Sequence, residues 1–340
     1  MRDLKVHWSF FILSILVGFS SILAGQGKIK GLFFGDYYYI ARSHRNTLEG
    51  QNGFWFRRIY FTYDYRWNSQ FAMRLRLEMA HPGDFTSSKT AVPFVKDAYL
   101  KYHTNQLDIL LGISPTPTFA VIENVWGYRA VEKTPVDLQK MGSSRDFGLA
   151  VKGALNKANT INYHIMIGNG NSNKSETNSG KKVMASVGYY PDKGISVEAY
   201  GDYEIRSAGE TRQTTQVFVA YRGRRFRAGL QLVDQQRHQN NTITRFQIAS
   251  AFAVEQLTPN IYLLERIDRL PKGSAGAETI AYLPFAENTP ATFILLGVDY
   301  TPIPEVHFIP NVETIVYDTP ASATQPKNDI MLRFTVFATF

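Results

Sequence analysis

Phe71-Ala-Met-Arg-Leu-Arg-Leu-Glu-Met-Ala80 puts Phe71, Met73, Leu75, Leu77 and Met79 on one phase and Arg74, Arg76 and Glu78 on the other. Side chains on a strand alternate faces with period two, so the stretch predicts a ribbon with one apolar and one charged face. Wound as a helix, it would scatter its arginines around the axis and leave no apolar stripe. The same two-phase pattern recurs over Leu107–Ile113, Ile195–Glu204 and Phe226–Leu232. It is cleanest at the C-terminus, where Ile330, Leu332, Phe334, Val336, Ala338 and Phe340 share one face and Arg333, Thr335 and Thr339 the other.

About sixteen such segments run from 28–40 to 330–340, with fourteen or eighteen as neighbouring solutions. Connections after even-numbered segments are short, as at 66–70, 105, 155–160 and 191–194. Those after odd-numbered segments are mostly longer and polar: 41–53, 81–93, 114–145, 169–182, 207–213, 234–243, 269–290 and 317–329. Short turns on one side and long loops on the other is the layout of an outer-membrane barrel. Backbone groups in hydrocarbon must all be paired, so a closed sheet is the strand solution there. Aromatics gather near segment ends (Trp55, Trp67, Tyr189, Tyr190, Tyr262 and Tyr300), as in an interfacial girdle. The fold expected is an all-β transmembrane antiparallel barrel.

The N-terminus carries Arg2 and Lys5, then the apolar run 10–19, then the small residues Ala24 and Gly25. That order predicts a secretory signal peptide at 1–25 and a barrel at 26–340. The 340 residues hold no cysteine, so thiol nucleophiles, Cys-ligated metals and disulfides are excluded. No cofactor and no metal site is expected. Aromatic residues make up 14% of the chain, and mean hydropathy is slightly negative, which argues against disorder and against a bundle of membrane helices.

With the apolar phase toward lipid, the inward residues follow by subtraction. They are Arg74, Arg76, Glu78, Lys101, Glu198, Asp202, Glu204, Arg225, Arg227, Arg245 and Arg333, expected as pore lining. Arg57 and Arg58 are adjacent and should point opposite ways, one of them near a rim. Basic side chains on several strands predict an anion-attracting wall, moderated by the acidic Glu198, Asp202 and Glu204. The formal net charge of +8 agrees. The long connection 114–145 is too apolar for a solvated loop, and Pro115 and Pro117 send it off the wall. The economical place for its aromatics is the lumen, where Glu123, Trp126, Arg129, Glu132, Lys133 and Asp137 would constrict the pore.

The function expected is passive diffusion of small hydrophilic solutes with a mild anion preference. A surface adhesin or receptor barrel is the alternative, and an outer-membrane enzyme a weaker one. The histidines are scattered, and no nucleophile elbow, His-Glu-x-x-His or P-loop is present. Nucleic-acid binding is not supported, because the basic residues alternate with apolar ones rather than clustering.

The chain resembles bacterial outer-membrane porins, in particular the broad group containing the phosphate-selective porins. The resemblance rests on Gly53–Tyr60, Glu123–Asp137, Ser144–Gly148, Asn162–Gly170 and the terminal Phe340. It implies a homotrimer in outer-membrane lipid, a third loop folded inward, and Phe340 as the signal read by the outer-membrane assembly machinery. Specialised phosphate channels carry a dense lysine and arginine ladder, whereas Glu198, Asp202 and Glu204 mix the sign here.

Overall fold

The computed structural model describes residues 27–340 except 192–193, 208, 275 and 320–323, so the expected signal peptide lies outside the described residues. Sixteen antiparallel strands close into one barrel. In order they are β1 Gly27–Arg42, β2 Asn52–Arg66, β3 Phe71–Met79, β4 Phe94–His103, β5 Leu107–Pro115, β6 Arg145–Ala154, β7 Ile161–Gly168 and β8 Lys182–Tyr189. The second half comprises β9 Ile195–Ser207, β10 Glu210–Arg222, β11 Phe226–Gln239, β12 Thr242–Thr258, β13 Ile261–Leu270, β14 Ala291–Ile303, β15 Val306–Tyr317 and β16 Asp329–Thr339. Each strand pairs with its neighbours in sequence, and β16 returns to β1. At that seam Gly31 and Phe340 exchange two backbone hydrogen bonds of 3.0 Å. A Cβ on Gly31 would sit 2.1 Å from the Phe340 ring, so glycine there lets the terminal ring lie across the closure.

The alternation was legible, and so was the parity of most connections. Two expected loops are instead hairpins. Ser207 pairs with Glu210, and Gln239 with Thr242, so most of 207–213 and 234–243 is strand. Asn240 takes φ of +52°, the conformation a two-residue hairpin turn requires. These segments read as loop because Arg212 and Gln213 in the one, and Gln235, Gln236, Arg237 and His238 in the other, leave no apolar phase.

Leu75, Leu111, Leu149, Ile167, Val187 and Leu332 are exposed on the outside of the barrel and belong to an apolar belt. Aromatics flank the belt, with Trp67, Tyr189, Tyr221 and Tyr300 toward the short-turn end and Tyr37, Tyr39 and Phe54 toward the loops. Trp55, Tyr190 and Tyr262 are not among them. Their polar atoms bond Asp36, Glu198 and Gln256.

The phase shifts in three places. A register shift between Phe34 and Gly35 sets an extra residue into β2, so Arg57 and Arg58 both point inward rather than to opposite faces. A second shift, opposite Arg76 and Leu77, brings Lys96 and Asp97 inward together. On β12 the apolar phase is the inner one: Phe246, Ile248, Phe252 and Val254 are buried while Arg245 and Gln247 are exposed outside.

Candidate functional site

The connection from β5 to β6 leaves the wall at Pro115, which has no N–H to continue a sheet. It forms helix α1 over Ala120–Trp126, ends it at Gly127 in the left-handed conformation, and adds a single turn, α2, at Pro135–Leu138. Ile122, Val125, Trp126, Val131 and Leu138 are buried against the inner faces of β10–β14. The Trp126 ring meets Phe252 at 5.2 Å between centroids, and Phe119, Val136 and Met141 pack on Val233, Phe246 and Ile248. This contact explains the inverted phase of β12: half the lumen wall is covered by protein, not water.

A second loop also folds inward. Ile280, Leu283 and Phe285 join the same core. Tyr282 stacks edge-on against Trp55 at 5.0 Å, lies 5.3 Å from the Arg57 guanidinium, and donates to the His81 carbonyl. Gly83 permits that approach, since a Cβ there would stand 2.5 Å from the Tyr282 ring. The apolar content of 280–285 is the signal that placed 114–145 in the lumen, and it identifies this loop equally well.

Behind the long loop lies a sealed ionic anchor. Arg57 donates to Glu132 at 2.8 Å, and Arg333 to Glu132 and Glu313 at 3.2 Å, with the Arg333 and Glu132 side chains wholly buried. Arg333 also donates to the Tyr282 carbonyl at 2.5 Å, tying both loops to one cation. Burial opposes the Glu132 charge, but Arg57 and then Arg333 outweigh it and hold the carboxyl below the usual carboxylate range. Nearby, Tyr128 donates to Asp299 at 2.9 Å, and Arg227 to the Trp126 carbonyl at 3.2 Å.

The opposite side of the loop faces a charged wall. Glu78 is shared by Arg58 at 3.0 Å and Lys96 at 2.9 Å. Asp97 is shared by Arg76 at 3.3 Å and Arg145. On the loop, Arg129 holds Glu123 at 2.9 Å and Asp137 at 2.6 Å. A cavity of about 230 Å³ lies on the long-loop side, and one of about 240 Å³ on the short-turn side. Arg58 and Arg129 line both, so these two side chains stand between them. Toward the short-turn end a wider space of about 640 Å³ is lined by Lys28, Lys30, Arg66, Arg74, Lys101 and Asp64, among others.

The structure thus sorts the expected pore residues. Arg74, Arg76, Glu78 and Lys101 face this path, and so do the loop residues Glu123, Arg129, Lys133 and Asp137. Glu198, Asp202 and Glu204 face inward on β9, where Lys182 reaches Asp202 at 3.0 Å and Glu204 at 3.6 Å. Five placements need correction. Arg225 lies in the β10–β11 turn, because β11 starts only at Phe226. Arg245 points outside and pairs with Asp234, because β12 gives its inner phase to the loop. Arg333 and Glu132 point inward but are sealed behind the loop, and Trp126 belongs to the loop's core. Arg58, Lys96, Arg145 and Lys182 were missed. The first and second are displaced by register shifts, and the others stand at segment edges.

No protein-family model matches the sequence, and no curated protein matches it. Solved structures do match in fold. An anion-selective porin from Comamonas acidovorans aligns with a TM-score of 0.69 at 10% identity, over 92% of this chain and 99% of that one. Salmonella typhi OmpF, solved with daunomycin, gives 0.66 at 10%, over 93% and 98%. The outer membrane channel DcaP of Acinetobacter baumannii gives 0.65 at 13%, over 92% and 97%. The chain is a sixteen-stranded, multi-pass barrel with the fold of outer-membrane porins.

Proposed function

We propose that the chain is a passive diffusion channel for small hydrophilic solutes with a mild preference for anions. The observation that carries this reading is the wall beside these two cavities: Arg58, Arg76, Lys96 and Arg145 share only Glu78 and Asp97. The loop facing it is balanced, with Arg129 and Lys133 against Glu123 and Asp137. A surplus of cations in a narrow, low-dielectric passage raises the local concentration of anions. Lys28, Lys30, Arg74 and Lys101 extend the surplus toward the short-turn end, where Asp64 and Asp108 offset part of it. A porin named for anion selectivity shares the fold, which agrees with the reading.

The test removes the surplus while leaving each carboxylate a partner. In Arg76→Gln with Lys96→Gln, Glu78 keeps Arg58 and Asp97 keeps Arg145. The zero-current potential in a KCl gradient should move toward cation preference with conductance retained. An unmoved potential would show that the wall charges are structural and do not set selectivity.

A further inference from the structure

Beside the long loop, the lumen along β5–β9 holds a cavity of about 410 Å³ that is a blind pocket rather than a passage. Short connections form its rim, at His103–Gln106 between β4 and β5 and at Asn159 between β6 and β7, so it opens toward the short-turn end. Going inward, the polar lining stops within one step of the alternation. Asp108, Lys152, His164, Ser186 and Glu198 line the cavity. Two residues nearer the long loops, the same five strands carry Leu110, Ala150, Met166, Met184 and Tyr200, which are buried together as the floor. Pro117, Ala120 and Val121 of the long loop supply the wall opposite the sheet.

Two charges in this pocket lack a countercharge. Glu198 is 4% exposed, and its Oε2 accepts from the Tyr190 hydroxyl at 3.1 Å, while Oε1 has no hydrogen-bond partner among the described residues. Gly188, opposite Glu198 in the register, makes room for that tyrosine, since a Cβ there would stand 2.0 Å from the Tyr190 hydroxyl. Across the pocket, Lys152 has no ion-pair partner among the described residues. Asp108, its cross-strand neighbour, is held by Lys101 at 3.0 Å and His103 at 2.6 Å, which leaves this end of the pocket in positive surplus. His164 pairs with Lys152 in the register and brings a second unpartnered atom, Nε2, to the same cavity. Buried polar atoms are almost always paired, so two orphans lining one cavity call for a ligand that completes them.

We infer that this pocket binds a small zwitterion of the class of dipeptides with free termini. The ammonium donates to Glu198 Oε1, and the carboxylate is held by Lys152 with a His164 Nε2–H beside it. β6 and β9 stand three strand spacings apart, about 14 Å. An extended two-residue peptide spans about 7 Å, leaving the remainder to the Lys152 and Glu198 side chains. An α-amino acid carries both charges on one carbon and matches that span poorly. Ala120, Val121 and Tyr163 offer an apolar surface to the peptide's side chains.

Calorimetric titration of the intact barrel in detergent with L-alanyl-L-alanine tests this on the unmodified protein. Binding should saturate, and should weaken about tenfold or more for the N-acetylated and for the C-amidated peptide, each of which has lost one charged end. Glu198→Gln should weaken the free dipeptide by a similar factor while leaving the N-acetylated one unaffected. Lys152→Met should do the same with the C-amidated peptide as its indifferent partner. Folding of each variant is checked by heat-modifiable migration, and if neither inserts, the capped peptides on the unmodified protein carry the test. No saturable binding, equal affinity for free and capped peptides, or folded variants that bind the free dipeptide as tightly as the unmodified protein would each overturn the inference.

Discussion

The two halves of the lumen wall follow opposite rules. Along β1–β6 the inward phase carries Lys30, Arg58, Glu78, Lys101 and Arg145, and faces an aqueous path. Along β10–β14 it carries Phe218, Phe252, Leu264, Phe293 and Leu295, and is buried under two loops. Alternation says that two faces differ; what lies against each face decides which one is apolar. Where a loop fills the barrel, the inner face becomes a protein core, and the outer face is then free to carry Asp234, Arg245 and Glu265.

The largest effect is expected at the ionic anchor joining the halves. Arg333→Met leaves Glu313 buried without its cation and removes one partner from Glu132, a loss of about 3–5 kcal/mol. The unfolding temperature of the barrel in detergent should fall clearly. No change would mean that the apolar half holds the loop unaided. Trp126→Ala attacks that apolar half, costing ~3 kcal/mol through the cavity it leaves. Single-channel conductance should rise and become noisy as the loop loosens. Conductance unchanged from the native channel would place the loop outside the conducting path.

The barrel was legible because lipid imposes one apolar phase on nearly every strand, as at Phe71–Met79 and Ile330–Phe340. The inward loop was legible because Trp126 and Tyr128 are too apolar for solvent. What period two could not reveal were the places where the count slips or the environment inverts. One inserted residue turned Arg57 inward beside Arg58, and loop packing turned Arg245 outward. Arg333 was assigned to the right face, yet its burial depends on Glu132 and Tyr282, which are distant in sequence.

Smaller effects sharpen the comparison. We propose that Phe340 signals to the assembly machinery as well as lying across the seam with Gly31. Removing it should lower membrane-inserted yield several-fold in cells, with a lesser loss on refolding into detergent. Equal losses in both would reduce its role to packing.

His44, in the β1–β2 loop, ties the inward-folded 271–290 loop to β16, bonding Asp329 at 2.8 Å and Glu278 at 3.0 Å. Burial lowers its pKa, but Asp329 and then Glu278 raise it to a net value above the ordinary 6.5. The tie is therefore complete below about pH 6.5 and lost as pH rises through the folded value. Protease nicking of 271–290 should increase over that range, and His44→Gln should flatten the dependence. The smallest change is expected for Lys30→Met, since the exposed Lys30–Asp64 pair contributes less than about 1 kcal/mol.

The most direct test is the zero-current potential of the unmodified protein in a planar bilayer under a KCl gradient. The surplus of Arg58, Arg76, Lys96 and Arg145 over Glu78 and Asp97 predicts a potential of the sign set by chloride. The preference should be a few-fold at low salt and fade toward 1 M, where the Debye length shrinks to about 3 Å. A potential of the sign set by potassium, or inserted protein that passes no current, would contradict the account.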